Sequence, residues 1–357
     1  MRSNRQLKAK LGRPRGAILM IVLGFIFLTA VVVVAILESV TRSMRSAATA
    51  AARDDLRLEA FSAMQVAIAS LGEIKELDGN LHSASQLWGN PIAYSPVSWP
   101  DSMQVYVTIV DETGKIPLVD LDRDKLRDLF GEMGIDFTDA DELIDAYLDW
   151  VDDDDEERLN GAEERYYDRL DPPIKPPNEP ITSFDSFRYI KGFDELFFDE
   201  NGTPNELFKQ FKESVSFRHS YDINVNSASD MIIDMLSENS GLNKHIFEDQ
   251  RVGLDGIANT PDDSYITSQD ELESMGFRSG EGYGFEARVF RVSVEVRQGE
   301  KVFQLEALVE DGGGQRQTPD DDAEPDKDDD NDKGKSGVYK LGDWTFLELS
   351  ENGSEDG

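Results

Sequence analysis

Between Asp145 and Glu164 the chain gathers ten carboxylates: Asp145, Asp149, Asp152, Asp153, Asp154, Asp155, Glu156, Glu157, Glu163 and Glu164. Asp145, Asp149 and Asp152 are spaced by four and three, which sets them on one face of a helix. Four consecutive aspartates then leave that helix, and the chain returns to Glu163 after Gly161. So many anionic oxygens near the apolar Trp150 repel one another unless they are exposed or neutralised. Two readings follow, a solvated acidic loop or a site for a hard cation held by oxygen, with calcium first. There is no cysteine, and His82, His219 and His245 are scattered, so neither a zinc site nor a cysteine- or histidine-based hydrolase is expected. The spacing is not that of an EF-hand, and Asp149, Asp152, Asp154 and Glu163 are the first ligand candidates.

A second acidic stretch runs from Asp249 to Asp263, where Asp255, Asp262 and Asp263 are weaker candidates for a calcium loop. A plain surface loop is the competing reading there. Acids that hydrolyse glycosides need a cleft of defined separation, and the pattern marks none. No catalytic residue is assigned, and the chain is not expected to be an enzyme.

The elements that hold these acids are ordered in an unusual way. Ala17 to Leu37 is free of charge, and its 21 residues make a helix about 31 Å long, enough to cross a bilayer. Before it stand Arg2, Arg5, Lys8, Lys10, Arg13 and Arg15 without any acid, which keeps that end cytoplasmic. Val40, Met44, Ala47, Ala51, Leu58, Phe61, Met64, Ile68 and Leu71 continue a helical spacing, and Gly72 is the expected stop. Val105, Val107 and Ile109 alternate with Tyr106, Thr108 and Val110, and Ile116 and Leu118 resume an extended run after a turn, which predicts a hairpin.

From Asp120 to about Gly282 the pattern is helical. It includes Leu143 to Val151, a helix through Phe184, Phe187, Ile190 and Phe193 entered at Ser183, and one through Met231 to Leu236 capped by Ser227 or Ser229. Strands return over 285–296 and 301–309 with a turn between them. Residues 315–335 are acidic and nearly without apolar side chains, a disordered linker. Val338, Tyr339, Leu341, Trp344, Phe346, Leu347 and Leu349 can form a last strand on the sheet. The net charge is −36, and loss of the six positive charges of residues 1–16 takes it to −42. Such a chain repels nucleic acid and anionic lipid and suits divalent cations or basic partners.

Several stretches, in this order, resemble the K-type minor pseudopilins of type II secretion (the general secretion pathway protein K family). They are Gly16-Ala17, Val110 to Ile116, Leu143 to Asp152, Asn160 to Glu163, Tyr166 to Pro173, Asp222 to Ala228 and the Trp344 segment. The aspartate-rich tryptophan stretch followed by Gly-Ala-Glu and Tyr-Tyr is the most specific. Gly114 to Leu118 departs from the family's asparagine-containing version. The resemblance implies an α+β fold: a pilin-like long N-terminal helix on a small antiparallel sheet, with a large all-α domain of helix-hairpin-helix or SAM-like type inserted. The implied division is a prepilin leader over 1–16, a transmembrane and amphipathic spine over 17–71, and an αβ domain from 72–119 and 283–310. The inserted helical domain takes 120–282, the acidic linker 311–336, and the terminal strand and tail 337–357.

The resemblance also implies cleavage between Gly16 and Ala17 and calcium in the helical domain. It implies a non-enzymatic place at the pseudopilus tip, where the subunit primes assembly and helps export folded proteins across the outer membrane. The implied partners are I-type and J-type minor pseudopilins, other pseudopilins, the prepilin peptidase and the inner-membrane assembly platform. The implied location is the bacterial inner membrane, in a single pass, with the bulk in the periplasm. Pilin-like subunits within a filament usually have glutamate five residues after the cut; here that residue is Ile21, and the first acid is Glu38. Ile223 to Ala228, with Ile266 to Ser268, also resembles helix-hairpin-helix DNA-binding modules. A membrane-anchored DNA-uptake or type IV minor pilin protein is the alternative, but Ser237 to Asp249 lacks the hairpin and the charge is negative. The likeness there is read as a shared helical scaffold, without nucleic acid.

Overall fold

The computed structural model describes residues 53–93, 95, 97–239, 244–277, 282–312 and 340–351, with Phe27 and Glu38 alone before them. The chain divides into two units, 1–55 and 56–357, and every element below belongs to the second. The junction Gly16-Ala17, Ile21, the rest of the apolar run apart from Phe27, and the linker from residue 313 lie outside the described residues. Among the described residues, no helix is long and apolar enough to cross a membrane.

Leu56, Ala60, Ala63, Met64, Ala67, Ile68 and Leu71 recur every three or four residues, and all are buried on one face of helix α1, residues 56–78 of this unit. Three alanines on that face let the helix lie close to its sheet. The helix passes through Gly72, the expected stop, and ends where Gly79 takes a φ of 89° and donates its N–H to Lys75 O. An interior glycine costs a helix only about 1 kcal/mol, which the Lys75–Asp311 ion pair at 2.5 Å helps offset.

The sheet is antiparallel, with strand order β1-β6-β7-β9-β8. Its members are β1 (Gln104–Asp111), β6 (Val289–Gln298), β7 (Lys301–Asp311), β8 (Lys340–Leu341) and β9 (Trp344–Glu351). In β6, Val292, Val294 and Val296 are buried and alternate with Arg291, Ser293 and Glu295, the signature of a sheet with one wet face. Phe290 packs between Trp88, 5.4 Å away, and Trp344 of the last strand, 5.7 Å away. The C-terminal segment therefore closes this core.

The hairpin expected over 103–118 does not form. Strand β1 pairs with β6, and Thr113 turns the chain away because its Oγ1 accepts N–H bonds from Arg288 and Val289. Ile116–Pro117 (β2) instead pairs in parallel with Val215–Ser216 (β3), and Ile116 is buried in a second core. A matching parallel pair, Ile223–Asn224 (β4) with Tyr283–Gly284 (β5), closes the other end of the insert.

Between these two pairs lie helices α2 (Arg123–Glu132), α3 (Phe137–Val151), α4 (Glu164–Tyr167), α5 (Phe193–Phe197), α6 (Glu206–Ser214), α7 (Asp230–Asn239), α8 (Lys244–Arg251) and α9 (Gln269–Ser274). Phe130, Phe187, Phe193, Phe197 and Phe211 fill their shared core. The helix expected through 184–193 is broken in two. A 3-10 turn over Phe184–Tyr189, capped by Ser183, ends at Ile190, and Gly192 (φ 84°) redirects the chain into α5.

A polar seam joins the two cores. Asp111, at the end of β1, accepts from Thr113 N at 2.9 Å and from Asn224 Nδ2 at 2.7 Å. Asn224 Nδ2 also donates to His82 O at 2.8 Å. The Ile223–Ala228 stretch thus seals the insert to the sheet, and Asn224 and Asn226 are buried. Burial pushes the Asp111 carboxyl up to about 6 from 3.8, against the donors of Asn224, Thr113 and Ser227. A folded-state value above the unfolded one favours the protonated fold. The stability of the wild type relative to Asp111→Asn should therefore fall by about 3 kcal/mol as pH rises from below 4 to above 6. Denaturation across pH 4 to 7.5 checks this; a pH-independent difference would contradict it.

Candidate metal centre

Helix α3 begins at Asp136, whose side chain caps Thr138 N. Its amphipathic pattern buries Leu143, Ile144, Tyr147 and Trp150, and it also buries Asp145 and Asp149. Two buried carboxylates one turn apart need compensation. Arg123 of α2 bonds Asp145, and Arg158 Nη1 bonds Asp149 at 2.6 Å and Asp152 at 2.5 Å. Burial pushes the Asp145 carboxyl up, but Arg123 and the Asn160 N–H outweigh it and hold it below the ordinary range.

The loop after α3 is clamped to the helix by these acids. Arg158 N donates to Asp149 Oδ2 and Asn160 N to Asp145 Oδ2, each at 3.1 Å. Lys191 Nζ donates to the carbonyls of Asn160 (2.9 Å) and Gly161 (3.0 Å). This clamp brings Glu163, at the start of α4, under the aspartate run.

Asp152, Asp154 and Glu163 each offer a carboxylate oxygen, and the three lie within 4.8 Å of one another. Asp149, the fourth candidate, is engaged by Arg158 and stands outside this trio. Asp152 Oδ1 and both oxygens of Glu163 are buried and have no hydrogen-bond partner. Glu163 is 4% exposed. Its carboxyl is pushed up to about 7, by burial first and then by repulsion from Asp149, Asp152, Asp155 and Asp154. Oxygens that lack a donor and repel one another fit a hard cation. The donor set is oxygen alone, as calcium requires.

Asp255, Asp262 and Asp263 also gather within 4.8 Å, but that loop uses its own donors. Asp262 Oδ2 accepts from Leu254 N and Asp255 N, and Asp263 Oδ2 from Ser85 Oγ and Thr260 N. The Thr260 hydroxyl and the Leu254 N–H hold the Asp262 carboxyl below its ordinary range. The unpartnered oxygens mark the first cluster and are missing here among the described residues.

Sequence reasoning selected the acids but missed the arginines that sort them. Arg158, a lone cation directly after Asp-Asp-Asp-Asp-Glu-Glu, was the available signal. Asn178 was also missed. It sits in the proline-rich stretch and donates from Nδ2 to Asp154 O at 3.1 Å.

Comparison with known proteins bears on this region directly. Residues 114–200, which contain the acidic centre, match the first domain of the family described as type II secretion system (T2SS), protein K. Among solved structures, the fold is similar to a chain of the "GspK-GspI-GspJ complex from enterotoxigenic Escherichia coli Type 2 Secretion System". The likeness has a TM-score of 0.55 at 14% identity and covers 88% of this chain and 99% of that one. No curated protein matches the sequence. The match to the protein K family is thus carried by residues 114–200, and the structural likeness extends a mixed helix-and-sheet fold through most of the chain.

Proposed function

We propose that this subunit caps the pseudopilus, priming its assembly with I-type and J-type minor pseudopilins and helping folded proteins cross the outer membrane. The observation that carries the cap is the insert. A second hydrophobic core, from Ile116 to Phe277, hangs between β1 and β6 of a small sheet, and a body that large is hard to repeat along a thin filament. The GspK-GspI-GspJ complex, in which a chain of similar fold occurs, supports the choice of partners. On this reading the chain is anchored in the inner membrane by the run from Ala17, after cleavage by prepilin peptidase, and the described body lies in the periplasm. Co-expression with I-type and J-type subunits should give a stable three-protein complex; a chain that purifies alone in their presence would contradict the assignment. Mass spectrometry of the membrane-extracted protein should find Ala17 as its first residue. An intact leader, or a cut beyond Leu37, would overturn the anchoring scheme.

The acidic centre is read as a calcium site. Asp152, Asp154 and Glu163 would hold the ion, which supplies the positive charge that Glu163 lacks. Asp149 and Arg158 hold the loop in place around it. Calcium would thereby fix the fold of the insert rather than do chemistry.

A further inference from the structure

Among the described residues, the buried side-chain oxygens without a hydrogen-bond partner belong to Asp152, Glu163 and Asn178. The first two are in the acidic centre. The third is brought to it, because Asn178 Nδ2 donates to the carbonyl of Asp154. An asparagine bonded through its amide nitrogen presents its oxygen elsewhere, and here that oxygen meets neither solvent nor a donor. Leaving such an acceptor bare is costly. The backbone at Asn178 is in the left-handed region, with φ 49°, where asparagine is better tolerated than other residues with a side chain.

We propose that Asn178 Oδ1 is a neutral ligand of the cation held by Asp152, Asp154 and Glu163. Amide carbonyls are ordinary calcium ligands. A neutral oxygen also raises the coordination number without adding to three negative charges. The ion would then tie the proline-rich segment 172–180 to the acidic loop, so that two stretches without regular structure brace each other through it. This inference rests on the calcium reading of the centre.

The test is calcium titration of the full chain in detergent, by competition with a chromophoric chelator, for the wild type and Asn178→Gly. Glycine accepts the positive φ, so the variant removes the side chain without straining the backbone. The expected result is a loss of affinity of about tenfold or more with the metal-free melting temperature little changed. Hydrogen exchange of the wild type gives a reading that needs no variant: calcium should slow exchange over 172–180 as well as over 152–163. Wild-type affinity in Asn178→Gly, or protection confined to 152–163, would overturn the role of Asn178 and leave the calcium site standing. A wild type that binds no calcium would overturn the calcium reading and this inference with it.

Discussion

Calcium should raise the melting temperature of the wild-type chain, and Glu163→Gln should abolish the rise. Both oxygens of Glu163 are buried without a donor, among carboxylates that repel them. An ion that binds only the folded state stabilises it by mass action, about 2.7 kcal/mol at a hundredfold excess over Kd. For a body of this size that is a rise of roughly 5–10 °C. The glutamine variant keeps the shape and removes the charge, so its metal-free form should melt higher than the metal-free wild type while calcium does nothing for it. Thermal melts with calcium and with chelator measure all of this. A wild type that melts identically in both would leave a solvated acidic loop as the answer.

Gly161→Ala should be the most damaging small substitution in the insert. A Cβ at Gly161 would lie 1.8 Å from Asp149 Oδ2 and 2.6 Å from its Cγ. The carboxylate has nowhere to go, since Asp149 is 0% exposed and is held by Arg158 through both side chain and backbone. Relieving the clash means breaking a buried ion pair, a loss of about 3–5 kcal/mol. Because Glu163 is only two residues further on, calcium affinity should fall as well. Chemical denaturation and the same calcium titration check the two effects. An alanine variant as stable as the wild type would show that the loop is not clamped as described.

Local pattern disclosed a good part of this architecture. The burial of Met64, Ile68 and Leu71 follows from helical spacing, though Leu58 of the same expected stripe is exposed and Leu56 with three alanines completes the buried face. The β6–β7 hairpin follows from alternation around Arg297 to Glu300, and the role of Trp344 from an apolar cluster beyond an acidic stretch. The partner of β1 was not readable, because β1 and β6 are separated in sequence by the whole insert and alternation alone carries no register. The turn at Thr113 is set by Arg288 and Val289, which no local pattern connects to it.

The acidic centre divides the same way. The acids were plain in sequence, but which of them face a cation depends on which are already neutralised. Asp145 is answered by Arg123 of another helix and Asp149 by Arg158. Asp152 shares Arg158 through Oδ2, but its Oδ1 has no donor and it gathers with Asp154 and Glu163. Asn178, in the proline-rich stretch, has no charge or periodicity to mark it. The second loop, the weaker candidate in sequence, differs in its donors: the Thr260 hydroxyl bonds Asp262 and Asp263, and the backbone N–H groups of Leu254 and Asp255 bond Asp262.

The place of the subunit on the filament is tested most directly by imaging assembled pseudopili that carry a label in the insert, between Asp120 and Gly282, and mapping its positions. A capping subunit predicts label at one end of each pseudopilus and none along the shaft. Label repeated along the shaft would contradict the cap, whatever the calcium and cleavage experiments show.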